Sequence, residues 1–344
     1  MKIPKIEKLP SGNYFCRLRL NGQSIPITEA SEALCAAQAM AYKSGMLQNK
    51  KASTATKTLY RAIDEYIADR RNVLSPATIR GYRTIQRNRF KSVMDKPIGN
   101  IRNWQKVIDM EAAICSPKTV INSWGLVRSA ICDDVSLPRV RLPQKIPQQP
   151  KFLRPEQIPA FVEAVYSSST YAVPALLALS SLRLSEIKAL RWENIPEDAE
   201  LIRVEGAIVP NEYHEYIEKK QNKTRRSTRS VPIYIPALKA AMERDRQPSG
   251  YVMQCSESAL RLFIKRICRE LGFDEVSIHG LRHSFASLAY SLNVPEKILM
   301  EIGGWENEAT VHNIYIHIAE SDVAHYESAI KAFYQNANEN ANEK

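Results

Sequence analysis

The chain has 344 residues, 44% of them hydrophobic and 25% charged, a length that predicts two or three domains and a balance that excludes a disordered chain. It lacks a run of about 18 apolar residues, so no transmembrane helix is expected, and the opening MKIPKIEKLPSGNY has neither the apolar core nor the cleavage site of a signal peptide. The net charge of +11 is concentrated: residues 56–146 carry 17 Lys and Arg against 8 Asp and Glu, residues 1–50 carry 7 against 3, and the rest is net acidic. A polyanion bound by the first 150 residues is the expected partner, although charge alone does not separate DNA from RNA or an anionic membrane.

In chain order, residues 12–22 alternate with a period of two. Tyr14, Cys16, Leu18 and Leu20 take one side; Phe15, Arg17, Arg19 and Asn21 take the other. Asn21-Gly22 predicts a tight hairpin turn, SIPIT at 24–28 the return strand, and the Ala-rich 29–45 a helix stopped by Gly45. QNKKASTATK at 48–57 reads as a linker. Over 58–70, Leu59, Ala62, Ile63, Tyr66 and Ile67 share a helical face. Ser75 and Pro76 start a further helix. Its Arg80, Arg83 and Arg87, at i, i+3 and i+7, are candidate phosphate contacts, with Arg89 and Lys91 extending the patch. One more helix is predicted around 117–132.

The segment 139–157 holds four prolines and is read as an interdomain linker. Beyond it, helices are predicted at 155–166, 172–181, 184–190, 236–245, 257–271, 282–291 and 295–303. Strand-like runs lie at 201–209, 212–220 and 228–234, and the polar tail QNANENANEK reads as disordered. Cysteines stand at 16, 35, 115, 132, 255 and 268 without a CxxC pair or a metal-site spacing, which predicts reduced, mostly buried thiols in a cytoplasmic protein.

Four segments carry candidate chemistry. In SSLRLSEIKALRW (180–192), Arg183 emerges near a helix start, where a planar guanidinium and backbone N–H groups suit a phosphate. Glu186, one turn on, can hold the local backbone or Arg183. In QNKTRRSTRSVPI (221–233), Lys223 is the candidate proton donor. Lys219, Lys220, Arg225, Arg226 and Arg229 read as phosphate contacts or solvated charges. HGLRHSFASLAY (279–290) sets His279 and Arg282 three apart on one face. His279 and His283 also have the i, i+4 spacing of metal ligands, but position 280 is Gly rather than the Glu of HExxH, and no third ligand follows. His283 therefore reads as structural, and no metal or other cofactor is expected. Finally, IGGWENEATVHNIYIH (302–317) puts Trp305 after a tight Gly303-Gly304 turn and Tyr315 on a helical pattern.

The order Arg183, Lys223, His279, Arg282, Trp305, Tyr315 resembles the tyrosine recombinases, the family of phage and conjugative-element integrases and of Xer- and Cre-type enzymes. The motif match spans 180–317. Two departures stand out: Gly-Gly-Trp where many members have LGH, and SSLR where TGLR is common. The resemblance implies a multidomain α+β protein. Residues 1–50 would be a small sheet-and-helix domain binding arm-type DNA, with Arg17 and Arg19 as contacts. Residues 56–146 would be an all-α, SAM-like core-binding domain, and 152–336 a mainly-α catalytic domain of mixed composition. It further implies a nucleophilic Tyr315, Arg183 and Arg282 on the scissile phosphate, and Lys223 protonating the leaving oxygen. His279 would assist the tyrosine or brace the phosphate, and Trp305 would position it. Expected partners are double-stranded attachment-site DNA, three further copies of the chain in a tetramer on DNA, docked through a helix at 321–334, and accessory bending or directionality proteins; no membrane is involved. A type IB topoisomerase and a catalytically idle DNA-binding regulator are the rival readings. The arm-like N-terminus opposes the first, and the intact catalytic set opposes the second.

Overall fold

The computed structural model describes residues 4–20, 23–44, 56–145, 150–198, 200–219 and 228–321, with side chains on the last helix as far as Ile314. The predicted turn at Asn21-Gly22, the segment with Lys223, the helix at 321–334 and the polar tail lie outside these residues. Two compact units divide at residue 146, with Asn211–Tyr213 grouped with the first.

The first unit opens with an antiparallel meander, β1 (Glu7–Lys8), β2 (Tyr14–Leu20) and β3 (Gln23–Glu29), followed by α1 (Glu32–Lys43). Cys16 and Leu18 of β2 face Ile25, Ile27, Cys35 and Ala39 in a small core, while Arg17 and Arg19 are exposed. The predicted period of two is thus the observed one. Cys16 and Cys35 are free thiols with sulfurs 3.5 Å apart, and burial together with Cys35 pushes Cys16 up to about 11. Cys268 is also buried, Cys115 and Cys255 are half-buried, and Cys132 is exposed.

The rest of this unit is helical: α2 (Leu59–Asp69), α3 (Pro76–Asn88), α4 (Trp104–Ala112) and α5 (Pro117–Ile131). Leu59, Ala62, Ile63 and Ile67 pack with Val120, Trp124, Val127 and Ile131. Ser75 caps α3 by accepting from the Thr78 N–H, with Pro76 in the first turn.

The second unit holds α6 (Ile158–Tyr166), α7 (Ala172–Leu179), α8 (Leu184–Ala189), β4 (Leu201–Val204), β5 (Ala207–Pro210), β6 (Tyr216–Lys219) and β7 (Arg229–Pro232). It continues with α9 (Pro236–Arg244), α10 (Glu257–Glu270), α11 (Ile278–Ser291), α12 (Glu296–Gly303) and α13 (Glu308–Ser321). The strand expected over 201–209 is two strands: β4 pairs with β7, and β5 pairs with β6. The break falls at Glu205-Gly206, where a side chain on Gly206 would come within 3.1 Å of the Lys219 carbonyl. The helix expected to start at 282 begins instead at Ile278, capped by Ser277. α7 is buried along its whole length and α11 packs on it. A main core gathers α6, α7, α9, α10 and the N-terminal half of α11. A separate cluster of Ala286, Ala289, Leu299, Met300, Trp305, Val311 and Ile314 joins α11, α12 and α13. Among the described residues no helix is long and apolar enough to cross a membrane.

Candidate active site and nucleic-acid interface

Arg183 owes its position to a sharp reversal. α7 ends at Leu179, and Ser181 takes a left-handed conformation (φ 77°), rare for a residue with a side chain. Arg183 then caps α8 in extended conformation. Glu186, buried at 3% exposure, accepts from the Arg183 backbone N–H (2.8 Å) and from its Nη1 (2.7 Å). Both functions foreseen for Glu186 are therefore present. Arg183 Nη2 donates to the Gly304 carbonyl at 2.5 Å, and its side chain keeps 34% exposure.

The second arginine is buried. Arg282, one turn into α11, is 1% exposed and donates through Nη1 to the Ser181 carbonyl. Its guanidinium lies 3.9 Å from the Trp305 ring centroid, a cation–π contact. Nε and Nη2 find no hydrogen-bond partner among the described residues. Burial, then Arg183, push Arg282 toward losing its proton, and Glu186 opposes them. A guanidinium keeps its proton in proteins, so the strain appears instead as a demand for an anion.

His279, in the first turn of α11, is exposed. Desolvation, then Arg282 and Arg183, lower its pKa, so the neutral ring is favoured. His283 lies edge-on to it at 4.7 Å, and burial followed by the His279 and Arg282 charges brings it down to about 4. Gly280 between them has a steric reason to be glycine: a Cβ there would lie 2.5 Å from the Lys151 carbonyl.

Trp305 follows a turn that accepts no side chains. Gly304 caps α12 with φ 64°, and the Trp305 ring folds over Gly303 so closely that a Cβ on Gly303 would stand 1.7 Å from it. The structure thus gathers Arg183, His279, Arg282 and Trp305. Tyr315 is on α13, with its side chain outside the described residues.

Arg229 corrects the reading of the basic segment. Its side chain is 6% exposed, and it forks onto Glu186 with Nη1 at 3.1 Å and Nη2 at 3.0 Å, so it is neither a solvated charge nor free to meet a phosphate. Burial alone would raise the Glu186 carboxyl, but Arg229 and then Arg183 outweigh it and hold the carboxyl below its usual range. The local signal for Arg229 was only its place at the head of a strand.

The three arginines of α3 differ in their surroundings. Arg87 is exposed and Arg80 half-buried, whereas Arg83 is 18% exposed and donates to Asp64 and, at 2.9 Å, to Gln86. The reason is angular: at about 100° per residue, positions 80 and 87 nearly eclipse while 83 falls roughly 60° away. Arg89 is also engaged, 3.7 Å from Glu111. Lys91, Arg17 and Arg19 are exposed.

Two arginines, a histidine and a tryptophan thus stand together, with a tyrosine on the following helix. Residues 151–322, half of the chain, match the phage integrase family, and the chain belongs to that family. It is similar to a XerC-like tyrosine recombinase of Caldanaerobacter subterraneus subsp. tengcongensis, with 27% identity over 205 residues, which are 51% of this chain but only 52% of that protein. It is similar to the integrase of Mycobacterium phage FRAT1 at 26% identity, covering 74% of this chain and 82% of that one. Among solved structures, the Tn1549 transposon integrase in complex with transposon right end DNA superposes with a TM-score of 0.60 at 16% identity, covering 78% of this chain and 99% of that one. A lambda integrase dimer bound to a core site gives 0.54 at 14% identity, covering 91% and 94%.

Proposed function

We propose that this protein is a site-specific DNA recombinase that cuts and rejoins DNA through a covalent phosphotyrosine and so integrates or excises a mobile element. The observation that carries the reading is the buried Arg282 guanidinium with Nε and Nη2 unmatched, next to the more exposed Arg183. Two guanidiniums so placed suit the non-bridging oxygens of a phosphodiester and the charge that grows on them in the transition state. The Tyr315 oxygen forms a bond to phosphorus, the bond from phosphorus to the 5′ oxygen breaks, and Lys223 gives that oxygen a proton. This leaves a 3′-phosphotyrosine, which the 5′ hydroxyl of another strand can attack in reverse. His279, biased to its neutral form, assists the tyrosine or braces the phosphate; Trp305 backs Arg282. No metal, nucleotide or other cofactor takes part.

Residues 1–50 bind arm-type DNA through the exposed Arg17 and Arg19. Residues 56–146 bind the core site, with Arg80 and Arg87 better disposed than Arg83, and residues 152–336 cut. Four copies act on two duplexes in the cytoplasm, assisted by accessory bending or directionality proteins. The test is a nicked suicide substrate carrying a core site: wild type becomes covalently attached to DNA, and Tyr315→Phe binds it with nearly unchanged affinity but forms no adduct. An adduct with Tyr315→Phe would remove Tyr315 as nucleophile.

A further inference from the structure

Arg229 has no assigned part in the chemistry, yet its guanidinium is among the most committed in the second unit. Its three nitrogens all donate inside the protein: Nη1 and Nη2 to Glu186, and Nε to the Ile302 carbonyl at 2.8 Å. It also packs flat on the Gly304 backbone, so that a Cβ at 304 would meet Nη1 at 2.9 Å. Arg183 shares the Glu186 carboxylate, and its other donor reaches the carbonyl of Gly304, two residues beyond the Ile302 carbonyl that Arg229 holds. The two guanidiniums thus share one carboxylate and one turn. Arg183 keeps 34% exposure against 6% for Arg229, so one can face a ligand while the other is spent on its neighbours.

Resting on the reading of the site as a recombinase centre, we infer that Arg229 is a positioning residue for strand cleavage: it locks Glu186 to the Ile302–Gly304 turn and thereby fixes the direction in which Arg183 presents its fork. Each contact follows from the chemistry of a buried charge. A guanidinium removed from water persists only when its donors are matched. Here one matching partner, Glu186, also orients Arg183, and the other, the Ile302 carbonyl, lies two residues before the Gly304 carbonyl that Arg183 holds. Without Arg229, Glu186 would retain only the contacts from Arg183 itself, and the turn before Trp305 would lose the donor on its Ile302 carbonyl. Arg183 would then hold its own support rather than be held by it. Arg229 also opens β7, so the same side chain ties the start of that strand to the first arginine and to the tryptophan turn.

The test uses the full chain in single-turnover cleavage of a suicide substrate at saturating protein, with DNA affinity measured in parallel. Four proteins form a double-mutant cycle: wild type, Arg229→Ala, Arg183→Lys and the double variant. Arg183→Lys is chosen because it keeps a charge but loses the planar fork. Arg229→Ala should slow cleavage by about 100-fold, the scale of a misplaced catalytic group, while affinity for the core site changes little. In the Arg183→Lys background the same substitution should cost far less, because the geometry it protects is already gone. Arg229→Lys should restore part of the rate, since an ammonium can pair with Glu186 but cannot reach the Ile302 carbonyl as well.

Equal losses in both backgrounds would mean that Arg229 merely stabilises the fold, and an unchanged rate would mean that it positions nothing. A loss of affinity without a loss of rate would make it a DNA contact; each of these results overturns the inference. If Arg229→Ala does not fold, Arg229→Lys runs through the same cycle, because a saturated single-turnover rate constant does not depend on the folded fraction. Failure of wild type to form any adduct would instead overturn the recombinase reading, and the two failures are therefore distinguishable.

Discussion

Ser181→Gly should make the protein more stable. Ser181 is fully buried with φ 77°, and its hydroxyl has no hydrogen-bond partner among the described residues. A left-handed conformation costs an L-residue roughly 1–2 kcal/mol, and a buried unpaired hydroxyl costs about 1–3 kcal/mol. Glycine relieves both, but loses about 0.5–1 kcal/mol through the greater freedom it gives the unfolded chain. The net gain is about 2 kcal/mol, which at roughly 2–4 °C per kcal/mol for a domain of this size raises the melting temperature by about 4–8 °C. Ser181→Ala separates the contributions, because it removes the hydroxyl and keeps the backbone strain; it should recover only part of the gain. Thermal and urea unfolding of the three proteins measure this. A glycine variant no more stable than wild type, or an alanine variant equal to it, would refute the strain argument. Cleavage should be followed alongside, since the Ser181 carbonyl holds Arg282.

His283 is held down to about 4 by burial and by the His279 and Arg282 charges. An unfolded histidine near 6.5 binds protons before the folded one does, so stability is full above pH 6.5 and falls as the pH drops toward 4. The loss is up to about 3 kcal/mol, and His283→Phe should flatten that slope in denaturation at pH 7 and pH 4.5. Chelators should leave adduct formation unchanged if, as proposed, Arg183, Arg282 and Lys223 supply the positive charge; loss in EDTA with recovery on adding a divalent ion would contradict this. Deleting residues 1–50 should spare cleavage of core-site oligonucleotides and impair integration between full attachment sites. Equal losses in the two assays would make that segment part of the core fold.

What could be read from the sequence was what local signals encode. The Ser75-Pro76 cap, the stripe of Leu59, Ala62, Ile63 and Ile67, and the alternation around Cys16 and Leu18 all produced the expected elements. Helix α4 went unread because Glu111 occupies a core position in its stripe. Glu111 is buried since it accepts the Phe90 N–H at 2.6 Å, and Phe90 lies 21 residues earlier. The same holds at the site. Arg183 and the HxxR pair announce themselves by spacing, but nothing in TRRSTRS separates the buried Arg229 from its charged neighbours. Its partner, Glu186, is 43 residues away, and such pairing is visible only once the chain has folded. The unusual SSLR box could be seen to alter a turn; that the turn needs a left-handed serine could not.

The two clusters of the second unit set the catalytic groups on unequal foundations. α11 roots its arginine end in the main core through Ile278 and Leu281, while Ala286 and Ala289 farther along belong to the satellite cluster. Helix α13, which bears Tyr315, contributes only Val311 and Ile314 to that satellite among its described side chains. Burial of those two side chains contributes about 3–6 kcal/mol. The arginine end of α11 thus stands in the main core, while the helix proposed to deliver the attacking oxygen meets, through its described side chains, the satellite cluster; in the proposed reaction, loosening that cluster would shift the tyrosine and leave the arginines in place.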